Sequence, residues 1–191
     1  MDSLTPNFLS FICLISTTAF CVQAHFGSKE SVFGALAYIL LTVYGILGAW
    51  QSFDKSTMPS SFLNTQKNLE IFLDSFVISY SSAELWARRG IAEGFIKIHL
   101  IIPLIPIFFY IFDKEFKKLN DCLVFASVLS FTFVSLMNDC TYGIISAIIF
   151  ATNIYYVKKR SDFELIPPSD LSNYVYSIFS LFLLHTFHHR E

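Results

Sequence analysis

Residues 31–51 read SVFGALAYILLTVYGILGAWQ, and this stretch decides the fold class of the chain. It contains no charged residue. A helix of about 20 apolar residues, rising 1.5 Å per residue, is long enough to cross about 30 Å of hydrocarbon. Trp50, near its end, belongs to a residue type that collects at the membrane–water interface. The stretch therefore predicts a membrane-spanning helix.

Six other stretches are also predicted to span the membrane. They cover residues 7–24, 68–85, 91–112, 119–137, 142–157 and 171–187. The chain is 54% hydrophobic but only 15% charged, whereas about a quarter of the residues of a soluble domain are charged. Because the chain has 191 residues, the connections between these stretches must be short. We expect residues 1–191 to form a single multipass membrane domain, an all-α bundle of about seven spanning helices in the lipid bilayer.

The first stretch could also be a cleaved signal peptide. It ends in Val22-x-Ala24, which fits the small-residue pattern of a signal-peptidase site. Its leader contains Asp2 and no Lys or Arg, whereas a secretory signal begins with a basic patch. This difference favours a retained helix, and cleavage would leave six spans.

The third stretch carries three acids, Glu70, Asp74 and Glu84. A carboxylate near the middle of a membrane costs about 2.5–3.5 kcal/mol, so this helix must face its neighbours or a wet cavity. Asp74 has two interpretations. It could line a polar pathway with nearby serines, or it could hydrogen-bond to neighbouring helices and lock the bundle. If the helix does not span, six spans remain.

Basic residues predict the orientation, because short cytosolic loops collect Lys and Arg. With seven spans, eight basic residues share the side of the N-terminus: Lys55, Lys67, Lys114, Lys117, Lys118, Lys158, Lys159 and Arg160. The other side holds Lys29, Arg88, Arg89 and Arg190, with Lys97 in the first turns of a helix. This bias predicts a cytosolic N-terminus and a lumenal or extracellular C-terminus. It disappears if the third stretch does not span.

All five histidines are predicted to lie toward the non-cytosolic side, with His25 in the first loop and His188 near the chain end. His185 and His189 are four positions apart, so they would share one helical face, as two imidazoles must to bind one metal ion. With His99, they are the candidate metal ligands. A solvated, frayed terminus is the simpler interpretation, and pH sensing is a third.

Two acids approach the same predicted face as the histidines. Glu84 ends the third stretch, and Asp139 lies in the connection after the fifth. Either could supply an oxygen ligand to a metal or act as a general base. With Asp74, they are the buried polar candidates of the sequence.

Several local features also carry predictions. Pro103 and Pro106 each remove a backbone donor, so the fourth helix should be kinked. Residues 138–141 should form a tight turn, and Ser169 or Asp170 should cap the seventh helix. Glu93 and Lys97, four positions apart, should form a surface ion pair.

Four cysteines show no C-x-x-C spacing: Cys13, Cys21, Cys122 and Cys140. They are expected to behave as small buried hydrophobes. A lumenal disulfide between Cys21 and Cys140 is the alternative.

Three stretches resemble the transmembrane protein 187 family, small multipass proteins of animals. They are residues 37–41 (AYILL), residues 99–113 (HLIIPLIPIFFYIFD) and residues 179–185 (FSLFLLH). The resemblance implies an endomembrane, Golgi-related location. It implies no mechanism, because that family has no established molecular activity.

The H-x-x-x-H formed by His185 and His189 is also similar to a motif of the ceramidase and progestin or adiponectin receptor superfamily of membrane hydrolases. That superfamily pairs the motif with a Ser-x-x-x-His in an early helix, and residues 31–51 contain no histidine. The third ligand of such a metal site is therefore missing.

The leading interpretation is a non-enzymatic protein of the endomembrane system or plasma membrane, with lipid or a membrane protein as partner and no cofactor. Its net charge of −2 gives no electrostatic reason to expect nucleic acid. One alternative is a lumen-facing, metal-dependent lipid hydrolase with zinc at His185, His189 and His99. The other is a small transporter that uses Asp74.

Overall fold

The computed structural model of the chain describes residues 6–27, 32–53, 60–90, 93–112, 116–159 and 166–188. Within these ranges the chain is helical, with short turns and no β-strand. The helices are α1 (Pro6–Phe26), α2 (Val32–Phe53), α3 (Ser60–Arg88), α4 (Glu93–Ile101), α5 (Leu104–Ile111), α6 (Phe116–Met137), α7 (Thr141–Thr152) and α8 (Pro168–His188). A π-helical turn, Asn153–Val157, extends α7. The predicted all-α fold is confirmed.

Four helical stretches are long and apolar enough to cross a membrane by length and composition. They are Phe8–Phe26, Val32–Ser52, Glu93–Ile111 and Lys117–Met137. Thr141–Val157 is a shorter apolar helix. These stretches identify a membrane-embedded helical protein. The more polar α3 and α8 are not among the four.

The helices form a closed ring. α1 packs against α2 and α8, α3 packs against α2 and α6, and α7 packs against α6 and α8. The broken segment formed by α4 and α5 lies outside this ring, against α3 and α6. α3 therefore has helices on several sides, which is the environment that its acids require.

Contacts between distant residues fix the direction of each helix. Near their starts, Ser10 of α1 donates to Asp170 of α8 at 2.9 Å. Near their ends, the rings of His25 and Phe187 are 5.8 Å apart. α1 and α8 are therefore parallel. We call the end of the bundle where both begin the lower end, and the opposite end the upper end.

Contacts of the same kind give the direction of each remaining helix. For α2 and α3, the contact is Gly34 with Glu84, and for α4 and α5 the contacts are Trp86 with Phe95 and Phe72 with Tyr110. For α6, they are Ser79 with Ser127 and Trp86 with Ser130. For α7 and the π-turn, they are Ser146 with Thr186 and Lys158 with Tyr176. Counting α4 with α5 and α7 with the π-turn, seven segments alternate in direction along the chain.

α1 and α2 approach each other closely because glycine lines their contact. A Cβ atom added to Gly48 would lie only 2.2 Å from Cε1 of Phe11. Gly48 therefore makes room for an aromatic ring, which is how small residues pack membrane helices in the absence of a hydrophobic driving force between them.

The local predictions were mostly confirmed. The fourth helix breaks between Ile101 and Leu104, where Pro103 interrupts the backbone bonds. A tight turn joins α6 to α7, and Asp139 there has a φ of 48°, a left-handed conformation that Asp tolerates better than most residues. The Glu93–Lys97 ion pair is present at the surface.

Two helix starts were predicted wrongly. α3 begins at Ser60, eight residues before the stretch 68–85 that was predicted, and these eight residues include Ser, Thr and Asn. Ser, Thr and Asn disfavour a helix by at most about 0.7 kcal/mol each, which a long helix can absorb. α8 begins at Pro168, a residue suited to the first helical position. Ser169 and Asp170 therefore lie in its first turn and not at its cap.

The disulfide alternative is also wrong, because all four cysteines are free. Cys21 lies inside α1, with its Sγ atom 3.5 Å from the carbonyl oxygen of Ser180 in α8. Cys140 immediately precedes α7. Both are buried, as small apolar side chains would be.

Candidate functional site

The first polar site lies in the lower half of the bundle and joins three elements. Asp74 of α3 binds Lys158, whose Nζ is 2.9 Å from both carboxylate oxygens. The Lys158 ammonium also donates to the Tyr176 hydroxyl at 2.8 Å, and that hydroxyl donates to Asp74 Oδ1. We call these three residues the Asp74 network. A charge that would be costly alone is thus matched by an opposite charge and hydrogen-bonded.

The π-turn places Lys158 in this network. The Lys158 backbone N–H donates to the Asn153 carbonyl oxygen at 2.9 Å, five residues back. One extra residue in a turn changes the face on which the following side chains lie. Lys158, predicted to be a cytosolic loop cation, therefore points to a carboxylate inside the bundle.

A second hydrogen-bonded cluster near the lower end joins α1 to α8. Ser10 donates to Asp170 Oδ1 at 2.9 Å and accepts from Asn173 Nδ2 at 3.0 Å. All three side chains are buried. Asp170 therefore links two helices, whereas the sequence indicated only a helix cap.

The upper site is centred on Glu84, whose side chain is 0% exposed. Its Oε1 accepts from Arg88 Nε at 2.7 Å, four residues later in α3. Its Oε2 accepts from the backbone N–H of Gly34 in α2 at 3.0 Å. His25 Nε2 is 4.0 Å from Oε1. Glu84 thus connects α1, α2 and α3.

Arg88 extends the upper site to α8. Its Nη1 donates to the carbonyl oxygen of Phe187, and its guanidinium carbon is 4.9 Å from the centre of the Phe187 ring. An orphan carbonyl at a helix end is commonly satisfied by a basic side chain. Arg88 therefore binds both the Glu84 carboxylate and the C-terminal end of α8.

Serines on α3 make contacts between helices. Ser79 lies 3.1 Å from the hydroxyl of Ser127 in α6, and Ser82 donates to the Ser127 carbonyl oxygen at 3.2 Å. These bonds, with the Asp74 network, are those expected if the polar face of α3 locks the bundle.

Four histidines are described, and all lie in the upper half of the bundle. His25, predicted in the first loop, is instead in the last turn of α1, because its ring is buried against Tyr38 and Phe187. His185 is exposed, with its ring 5.2 Å from that of Tyr142. His188 lies in the last turn of α8.

His99 lies in the contact between α4 and α6. Its Nε2 is 2.8 Å from Ser130 Oγ, which also accepts from Trp86 Nε1 at 3.0 Å. The imidazole is buried and helps to attach the outer helix to the ring. It therefore contacts α6, and through Ser130 it is linked to Trp86 of α3, whereas His185 contacts α7.

The described part of the chain contains no group of three or more His, Cys, Asp or Glu residues that could hold a metal ion. His189 lies outside the described residues. Asp139, predicted to be a buried polar residue and a candidate oxygen ligand, is instead exposed, because it lies in the turn between α6 and α7. The three-histidine site therefore stays a prediction.

The sequence interpretation missed three partners of the buried acids. Arg88 could have been found from its spacing of four from Glu84, the spacing that predicted the Glu93–Lys97 pair. Lys158 and Tyr176 carry no such signal, because they are 84 and 102 positions from Asp74.

Comparisons with protein-family models, curated proteins and solved structures gave no match to this chain.

Proposed function

We propose that this chain is a seven-span, non-enzymatic membrane protein that acts as a subunit of a membrane complex or as a lipid-interacting protein. The observation that carries this proposal is the engagement of two carboxylates of α3, one partly and one fully buried. Asp74 is held by Lys158 and Tyr176, and Glu84 is held by Arg88 and the Gly34 backbone. Carboxylates that are paired with cations and hydrogen-bonded across helices stabilise a helix bundle.

Seven spans are supported by the alternating directions of the seven segments, since each crossing of a membrane reverses the chain. α3 is the segment whose acids argue against a membrane-spanning position. Its ion pairs remove most of the cost of a bare carboxylate in hydrocarbon, about 2.5–3.5 kcal/mol. α8 carries two buried polar residues, Asp170 and Asn173, and both are hydrogen-bonded to Ser10 of α1.

The proposed orientation puts the lower end in the cytosol. Lys117 and Lys118 begin α6 at this end, and Lys159 follows the π-turn there. Their exposed charges favour the cytosolic side of a membrane. The C-terminus then lies in the lumen or outside the cell. An endomembrane, Golgi-related location is supported only by the resemblance to the transmembrane protein 187 family.

Metal analysis of the purified protein tests the non-enzymatic assignment against the hydrolase alternative. Wild type and a variant carrying both His185→Ala and His189→Ala are purified in detergent and their zinc content is measured. We expect no stoichiometric zinc in either protein. Stoichiometric zinc in wild type that the double variant loses would contradict the proposal and favour a hydrolase.

A transport function is the second candidate, because two features often found along substrate paths occur together. α4 and α5 are halves of a proline-broken helix, and α3 carries a buried carboxylate beside a π-turn. The test is flux into liposomes by wild type, Asp74→Asn and the doubly substituted Asp74→Asn, Lys158→Met, which leaves no unpaired charge. Transport by wild type that both variants lose would support this candidate, and absence of transport by wild type would remove it.

A further inference from the structure

The Asn153 side chain, at the first position of the π-turn, is 0% exposed. Neither its Nδ2 nor its Oδ1 has a hydrogen-bond partner among the described residues. Leaving a buried donor or acceptor unpaired is unfavourable, because the group loses its hydrogen bonds to water. Buried polar groups in proteins are satisfied in the great majority of cases, by water where no protein group reaches them. A buried amide in this environment indicates a ligand.

Among the buried atoms that have no hydrogen-bond partner within the described residues, two more lie on α3 and α8. They are Ser75 Oγ and Asn173 Oδ1. Ser75 is the residue after Asp74, and Asn173 precedes Tyr176 by three positions. The two Asn153 atoms, Ser75 Oγ and Asn173 Oδ1 therefore belong to the π-turn, α3 and α8, the three elements that meet at the Asp74 network.

The chemistry of these atoms fits water. Asn153 offers two N–H donors and a carbonyl acceptor, the serine hydroxyl both donates and accepts, and the Asn173 oxygen accepts. A buried water typically makes two to four hydrogen bonds to such groups. The mixture lacks a net charge, so it favours neither an anion nor a metal cation.

The Asp74 network supplies the route from the surface. The side chains of Lys158 and Asp74 are 21% and 13% exposed, so the ion pair is itself in partial contact with the surroundings at the lower end. Asn153 lies one π-turn deeper along the same segment. π-turns often occur at functional sites, where they open the regular backbone pattern.

We propose that Asn153, Ser75 and Asn173 hold water inside the lower half of the bundle, and that this water site opens to the lower end through the Asp74 network. The proposal rests on the proposed function, because it concerns hydration of a bundle that lies in lipid. It adds a water-accessible interior to a protein whose outer faces contact hydrocarbon.

Cysteine accessibility in membrane vesicles tests this proposal. Cys13, Cys21, Cys122 and Cys140 are first replaced, and Asn153→Cys or Ser75→Cys is then introduced. The probe is a small, water-soluble methanethiosulfonate, which reacts with the thiolate form. The control for a cysteine that faces lipid is Ile148→Cys, at an outward position of α7 that is 60% exposed. The control for water is Lys159→Cys, which is 56% exposed at the lower end.

We expect Asn153→Cys to react within about tenfold of Lys159→Cys and about a hundredfold faster than Ile148→Cys, because a thiolate forms only where water reaches it. Ser75→Cys changes only one atom and should react similarly, so it decides the matter if Asn153→Cys does not fold. If these cysteines react as slowly as Ile148→Cys, the water site is overturned. If Ile148→Cys instead reacts as fast as Lys159→Cys, α7 is not in lipid and the proposed function fails.

Discussion

Asp74 and Glu84 lie ten positions apart on α3, and the bundle neutralises them in different ways. Glu84 binds Arg88 within the same helix, four positions away. Asp74 binds Lys158, which is 84 positions away and belongs to another helical segment. One acid is therefore paired by local structure and the other only by tertiary structure.

If α3 spans the membrane as proposed, this difference bears on how it enters the bilayer. The Glu84–Arg88 pair can form as soon as α3 is helical, so it reduces the cost of that acid before any packing occurs. Asp74 gains its partners only when the π-turn and α8 have docked. The upper pair therefore favours formation of the helix, and the lower pair favours completion of the bundle.

The largest effect is expected when Asp74 loses its cation. Lys158→Met should lower the free energy of unfolding by about 3–4 kcal/mol, toward the low end of the cost of breaking a buried ion pair, because the pair is partly exposed and Tyr176 still donates to Asp74. Unfolding in mixed detergent and dodecyl sulfate micelles, followed by tryptophan fluorescence, measures it.

Two controls accompany Lys158→Met. Lys159→Met removes a neighbouring cation that is 56% exposed and 4.0 Å from Asp121, so its effect should stay within about 1 kcal/mol. Adding Asp74→Asn to Lys158→Met should recover more than half of the loss. A double variant as unstable as Lys158→Met alone would contradict the assigned pairing.

Removal of Arg88 should have a smaller effect, because Glu84 keeps the Gly34 N–H and lies 4.0 Å from His25 Nε2, whereas Asp74 keeps only the Tyr176 hydroxyl among the described residues. Arg88→Met should cost about 2–3 kcal/mol in the same measurement, less than a fully orphaned charge. The Gly34 N–H would still donate to Glu84. A loss larger than that of Lys158→Met would reverse the proposed ranking of the two sites.

Overpacking at Gly34 tests the upper site sterically. A Cβ atom there would lie 2.7 Å from His25 Cε1, 2.8 Å from Phe187 Cε2 and 3.2 Å from Glu84 Cγ. Gly34→Ala should therefore destabilise the protein by about 1–2 kcal/mol. Gly94→Ala is the matched control, because nothing lies within 4 Å of its Cβ position, and it should be neutral or slightly stabilising. Equal effects of the two substitutions would show that the space around Gly34 is not tight.

The smallest effect is expected at the exposed pair of α4. Glu93 and Lys97 have the same spacing as Glu84 and Arg88 but are 86% and 71% exposed. Lys97→Met should change the free energy of unfolding by no more than about 0.5 kcal/mol, as for other exposed helix pairs. A loss matching that of Arg88→Met would mean that spacing, and not burial, sets the strength of these pairs.

The features that could be predicted from sequence are those that depend on neighbours along the chain. Apolar length predicted the helices, Pro103 predicted the break between α4 and α5, and residues 138–141 predicted the turn. Local composition failed at residues 60–67, where weak helix formers continue α3 because their individual cost is small.

The interior of the bundle depends on residues far apart in sequence. Asp74 was recognised as an acid that needs a partner, but no local pattern identified Lys158 or Tyr176. The π-turn, which directs Lys158 inward, also has no sequence signal in Asn153–Val157. The metal interpretation of His185 and His189 rests on their spacing alone, and His189 is outside the described residues.

The central claim is that α3 crosses the membrane inside the bundle despite its acids. Glycan-acceptor tags placed separately at the two chain ends test it in microsomes, with the size of the N-terminally tagged product checked for retention of the tag. A spanning α3 predicts a glycosylated C-terminal tag and an unmodified, retained N-terminal tag. If retained tags at both ends face the same side, the chain crosses an even number of times and the account is contradicted.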